Sequence, residues 1–217
     1  CQFLMNTGTN GGALAINSTD GMIVKQFTSR GTDFVGNSAL YGGAMYTSGV
    51  NVDLEATDFI LNDAAYGSGA IVLEANDAVL DGCAFQGNHG PTDIDSAAGG
   101  MAVMNVDQLT ITASLFDQNA SSHAGALYVG NSNVDLVDTS FKNNYSGGTG
   151  GAVAVDECFV SVDGCTFTNN VAESNGGAMD IMPVSVIDVT RTAFLANAAG
   201  EGGAVDINDA DVSMTNV

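Results

Sequence analysis

Apolar and polar residues alternate in two short stretches that recur along the whole chain. One carries Leu14/Ile16, Ile71/Leu73, Leu127/Val129, Val153/Val155 and Val205/Ile207, with Ala15, Val72, Tyr128, Ala154 and Asp206 between them. The other carries Val52/Leu54, Ala78/Leu80, Leu109/Ile111, Val134/Leu136, Val160/Val162 and Ile187/Val189, around Asp53, Val79, Thr110, Asp135, Ser161 and Asp188. A period of two predicts strands with one face inward, so the interleaved residues of each set read as an outward face. No window holds a helical period. Shortly after each second stretch comes a phenylalanine, followed three residues later by an asparagine. Phe3, Phe34, Phe59, Phe85, Phe116, Phe141, Phe167 and Phe194 pair in this way with Asn6, Asn37, Asn62, Asn88, Asn119, Asn144, Asn170 and Asn197. Each Phe-x-x-Asn segment supplies a third short strand, and the phenylalanines number the repeats as coils 1 to 8.

A small-residue triplet, Gly-Gly-Ala in full form, follows each pair and begins at Gly11, Gly42, Ser68, Gly99, Ala124, Gly150, Gly176 and Gly202. The repeat is mostly 25 to 26 residues, stretched to 31 in two places. A fixed period of this kind marks a solenoid, because one unit cannot bury its own apolar face and must stack on a neighbour. Three strands per turn predict an all-β, single-stranded, right-handed parallel β-helix of about eight three-strand coils, spanning 1–217 as one continuous domain. Leucine-rich repeats need denser leucine, and propeller blades need about 40 residues or more. Cys1 and Val217 fall in one phase of the repeat, so the chain reads as an excerpt of a longer array. Loop expansions are expected at 17–30, with Met22, Ile23, Val24 and Phe27, and at 89–98.

Stacking places like residues over one another. The phenylalanines form an internal aromatic column, and the asparagines form an amide ladder in which each side chain donates to one coil and accepts from the other. Glycine suits the tight corner of the triplet, where φ is positive or a neighbouring backbone approaches. Cys1, Cys83 and Cys165 share a column with Thr32, Thr57, Ser114, Thr139 and Thr192, three coils apart and out of disulfide reach. A bridge between Cys158 and Cys165 has weak support.

The net charge of −21, with only Lys25, Arg30, Lys142 and Arg191 as cations, argues against nucleic acid or an anionic membrane surface as partner, and no segment suggests direct membrane insertion. Acidic rims also discourage lateral sticking of exposed strands.

Phe-x-x-Asn alternating with Gly-Gly-Ala-apolar resembles the repeats of the polymorphic outer membrane proteins, large autotransporter adhesins of chlamydiae; similar repeats occur in extracellular proteins of other bacteria and of protists. The resemblance covers the whole chain. It implies a surface-exposed β-helical passenger used in adhesion.

Many parallel β-helices act on polysaccharides, a chemistry that needs paired carboxylates facing one groove. Arg191 near Asp188 and Asp163 reads as a solvated ion pair, and His89 and His123 as surface histidines. No catalytic residue is assigned. Asp180 and Asp206 occupy equivalent positions in successive coils, and their side chains are expected to stack outward as a candidate calcium site, the one cofactor considered. Among three N-x-[ST] sequons, Asn119 and Asn144 belong to the ladder, which leaves Asn17 as the glycosylation candidate. The expectation is a non-enzymatic, extracellular or cell-surface rod: a shaft, filament subunit or adhesin passenger, partnered by a protein or glycan at a cell surface or by copies of itself. The alternatives are a carbohydrate-binding or carbohydrate-active β-helix, and an ice- or mineral-binding surface, which the mixed column from Asp53 to Asp188 disfavours.

Overall fold

A computed structural model describes residues 1–18, 25–75, 77–92 and 97–217. It is a parallel β-solenoid with three sheets of eight strands each. The phenylalanine sheet runs from Gln2–Leu4 to Ala193–Leu195, the second sheet from Leu14–Asn17 to Val205–Ile207, and the third from Lys25–Arg30 to Asp211–Thr215. Every ladder is parallel and in register, so that Phe116 pairs with Phe85 on one side and Phe141 on the other. No helix occurs among the described residues.

The phenylalanine rings stack with centroids 4.5–5.0 Å apart and planes within 1–11° of parallel. That spacing copies the distance between adjacent strands, so the backbone ladder sets the stack. From Phe34 to Phe167 the rings are fully buried, among Met45, Leu54, Ile71, Leu80, Met101 and their equivalents.

Four features depart from the sequence reading. First, six coils turn through an extra short strand after the ladder asparagine, and coils 4 and 8 have an isolated bridge there. Thr7–Asn10, Ser38–Tyr41 and Asp63–Ala64 form one three-stranded sheet, and Ala120–Ser121, Tyr145–Ser146 and Val171–Ala172 another. His89 bridges Asp63 to Ala120 between them. Second, Met101 pairs with Ile71 and Leu127, so the triplet of coil 4 is Ala98-Gly99-Gly100 and begins one residue earlier than the sequence suggested. In this register the middle position is glycine in all eight coils. A Cβ there would lie 2.0–2.3 Å from the glycine carbonyl oxygen of the next coil, from Gly12 through Gly177. Close approach of two backbones fixes the residue type.

Third, the expansions are narrower than 17–30 and 89–98. Asn17 ends a strand paired with Ser48, and Lys25–Arg30 is a full strand paired with Val50–Glu55, with Phe27 packed on the core. His89 and Ala98 also bridge to neighbouring coils. Residues 19–24, with Met22, Ile23 and Val24, and 93–96 lie outside the described residues.

Fourth, left-handed backbone also occurs at corners outside the glycine triplet, where glycine is not required. The residue before every ladder asparagine has positive φ, between 52° and 63°, whether it is Met5, Leu61 or Ala196 or a glycine. The residues preceding the Thr/Ser/Cys column behave likewise, from Gly31 and Ala56 to Arg191, at 45–67°. Such backbone costs a non-glycine residue on the order of 1 kcal/mol. The polar side chain that follows offsets it. Thr57, Ser114, Thr139 and Thr192 each donate to the carbonyl two residues back at 2.8–3.2 Å, across the left-handed residue. Cys83 and Cys165 do the same with sulfur at 3.7 and 3.6 Å. A third corner repeats the device at Ser132 and Cys158.

Candidate functional site

The asparagine column is continuous. Seven Nδ2-to-Oδ1 bonds of 2.8–3.1 Å join Asn6 through Asn197. From Asn37 onward each Nδ2 also donates to the phenylalanine carbonyl of the preceding coil, as Asn119 does to Phe85 at 2.9 Å. Each Oδ1 accepts a second bond from the backbone N–H of the preceding asparagine, as that of Asn119 does from Asn88 at 3.1 Å. All the side-chain capacity of the buried amides is used internally. These residues build the rod and offer nothing to a ligand.

Asp180 and Asp206 pair in register, but their environments differ. Asp180 is only 5% exposed, because the outer column of the second sheet is covered by neighbouring corners. Ala98, Ala102, Ala124, Tyr128 and Ala154 form a second, smaller core there. Burial pushes the Asp180 carboxyl above its ordinary value of 3.8, and the Asp206 carboxylate adds to this. His123 opposes the shift. So does the Thr149 hydroxyl, which lies close by although it is buried and meets no hydrogen-bond geometry among the described residues. Asp206 accepts from Asn175 Nδ2 at 2.9 Å. The two carboxylates therefore stack as expected, but a covered corner rather than solvent faces Asp180, and Asp206 is bonded to Asn175. Among the described residues no three His, Cys, Asp or Glu side chains are grouped to hold a metal ion.

Arg30, Lys142 and Arg191 sit on acids of the adjacent coil. Arg30 pairs with Glu55 at 2.8 Å, Lys142 with Asp117 at 3.3 Å, and Arg191 Nε with Asp163 at 2.8 Å. The Arg191 guanidinium and the Thr190 hydroxyl hold the Asp163 carboxyl down at about 2. Such exposed pairs contribute little to stability. Arg191 thus bonds back to Asp163. His89 is exposed, while the half-buried His123 ring lies 5.4 Å from Tyr128, edge to face. Asn17 is exposed at its strand end. All four cysteines are free, and only Cys1 is exposed. Burial pushes the Cys83 and Cys165 thiols up to about 11.

Two tyrosine–glutamate pairs escaped the sequence reading. Tyr46 donates to Glu74 at 3.3 Å, and Tyr145 donates to Glu173. In both, the glutamate follows 28 residues later, one coil and two positions on, which places it beside the tyrosine on the next strand. A search at that spacing would have found them.

The family model described as right handed beta helix region matches residues 2–167. The Chlamydia polymorphic membrane protein repeat matches residues 164–178, a stretch that contains Phe167, Asn170 and the Gly176-Gly177-Ala178 triplet of coil 7. No curated protein and no solved structure matches the chain. Together the two family matches support a surface-exposed β-helical repeat protein.

Proposed function

This chain belongs to the right-handed beta-helix family, and from that premise we propose that it is a non-enzymatic structural and adhesive rod, extracellular or at a cell surface. The observation that carries the reading is the unbroken phenylalanine stack and amide ladder through all eight coils, which joins every coil to the next by the same bonds. Repeated nearest-neighbour contacts of this kind make a stiff spacer. Its partners are a protein or glycan at a surface, or further copies of the rod. The acid-rich faces, with three of the cations already paired, favour a partner that is not nucleic acid. On this reading the rod works without a cofactor, and calcium at Asp180 and Asp206 draws no support from a buried carboxylate beside one already bonded to Asn175.

One experiment tests the enzymatic and adhesive halves together. Beads coated with the rod are applied to cell monolayers and to a panel of immobilised polysaccharides, and the supernatants are assayed for reducing ends and unsaturated sugars. Retention of beads without product release is expected. Product release in proportion to protein overturns the non-enzymatic reading, and beads retained no better than uncoated ones overturn the adhesive one.

A further inference from the structure

At coils 2 to 4 the rod surface opens into a cleft of about 340 Å³. Three of the five tyrosines of the chain, Tyr41, Tyr46 and Tyr66, line it together with Val72 and Glu74. Val72 is buried and forms an apolar floor. The Tyr41 and Tyr66 rings come from successive coils, with centroids 6.0 Å apart and planes at 36°, and are 44% and 52% exposed, so they stand as an open wall. Tyr46 stands on the strand beside Val72 and donates its phenol to Glu74. Gly67 keeps the space clear: a Cβ there would lie 3.1 Å from Val72 and 3.3 Å from the Tyr41 ring.

The electrostatics of this cleft have one sign. Aromatic faces are negative, and the Glu74 carboxylate forms no ion pair among the described residues, in contrast to Glu55, Asp117 and Asp163. Desolvation and the Glu74 charge raise the Tyr46 phenol, which keeps that ring protonated and donating to the carboxylate. The protein around it carries a net charge of −21. A strongly hydrated ion such as sodium or a primary ammonium keeps its water and gains little from an apolar floor. A quaternary ammonium gives up water readily, lays its methyl groups on Val72 and the rings, and places its charge over the tyrosine faces beside Glu74. We propose that this cleft binds a quaternary ammonium group of the choline type.

The chain has no tryptophan, so its intrinsic fluorescence reports directly on tyrosines, most of which lie in the cleft. Choline chloride is titrated at constant ionic strength and compared with 3,3-dimethylbutanol, which has the same shape without the charge. Saturable quenching by choline, with none by the alcohol over the same range, is expected. Glu74→Gln and Tyr66→Ala, each with an unchanged far-ultraviolet circular dichroism spectrum, should bind about tenfold more weakly or worse. Tyr145→Phe, at the other tyrosine–glutamate pair, should bind like the parent. Equal binding of alcohol and choline, absence of saturation, or full affinity in Glu74→Gln overturns the proposal. Phosphatidylcholine vesicles then identify the source. Co-sedimentation competed by free choline makes the ligand a lipid headgroup; choline binding without co-sedimentation makes it the free small molecule.

Discussion

Replacing Asn119 by alanine in the middle of the ladder puts a number on what the amide column contributes. The side chain is fully buried and makes four bonds: Oδ1 accepts from the backbone N–H and the Nδ2 of Asn88, and Nδ2 donates to the Phe85 carbonyl and to Asn144 Oδ1. Asn144 Oδ1 keeps a partner in the variant, because the backbone N–H of residue 119 still reaches it at 3.0 Å. Two donors on Asn88 do not, while the Phe85 carbonyl sits in the parallel ladder against Phe116 and keeps its backbone partner. Two orphaned buried donors at the low end of about 1–3 kcal/mol each give about 2 kcal/mol, and the expected loss lies between that and about 5 kcal/mol. Asn6→Ala is the internal control. Asn6 is exposed and only donates, and Asn37 Oδ1 would still accept the backbone N–H of residue 6, so less than about 1 kcal/mol should be lost. Urea unfolding followed by circular dichroism measures both. Because a solenoid opens coil by coil, native-state hydrogen exchange should localise the Asn119→Ala loss to coils 4 to 6. If the two variants lose equal stability, or if Asn119→Ala loses under about 1 kcal/mol, the ladder is not what secures the coils.

Gly125→Ala sets a Cβ 2.0 Å from the Gly151 carbonyl and should cost about 3 kcal/mol or more, whereas Gly82→Ala, with nothing within 4 Å, should cost only its backbone strain of about 1 kcal/mol; thermal denaturation separates them. The Asp180 carboxyl is raised above 3.8 on folding, so its favourable contribution is complete below pH 3.8 and is lost as pH rises through the folded value. Asp180→Asn should therefore melt higher than the parent at pH 7 and equally below pH 3.8; a variant that melts lower at pH 7 would show that the carboxylate is needed charged. Of the four thiols, Cys1 alone should react with a disulfide reagent at pH 8 in the native rod, with Cys83, Cys158 and Cys165 appearing only in denaturant; rapid native labelling of more than one equivalent would contradict the burial of those columns.

The phenylalanine and asparagine columns were legible in the sequence because the solenoid repeats one environment at one phase. Phe59 and Phe141 meet the same ring above and below, so identity recurs. The left-handed corners were not legible, since Leu61, Gln118 and Ala196 share a backbone shape but no side-chain need; the signal lay one residue on, in the asparagine. The extra strand Tyr145–Ser146 is too short to show alternation. The burial of Asp180 was hidden for a different reason. Alternation separates two faces of a strand but does not say that the outer one meets water, and here the corners at Ala98 and Ala124 fold over it. Tyr41 and Tyr66 share one column, four residues after Asn37 and Asn62, but Tyr46 belongs to another and meets them only when the coils are wound.

The ladder has a direction. Every asparagine Nδ2 donates toward the next coil's Oδ1, and none of these bonds is reversed from Asn6 to Asn197. At any cross-section of the rod the asparagine on one cut face donates to the amide oxygen on the other, while the second Nδ2 hydrogen of that other face returns to a phenylalanine carbonyl. Only a head-to-tail junction continues the amide ladder and the parallel backbone ladders in the register of the interior, and head-to-tail joining is the open-ended association that yields filaments rather than closed pairs. A whole coil duplicated or deleted meets neighbours of the same shape and polarity. Lengthening such a rod thus needs no new interface, only another copy of the repeat.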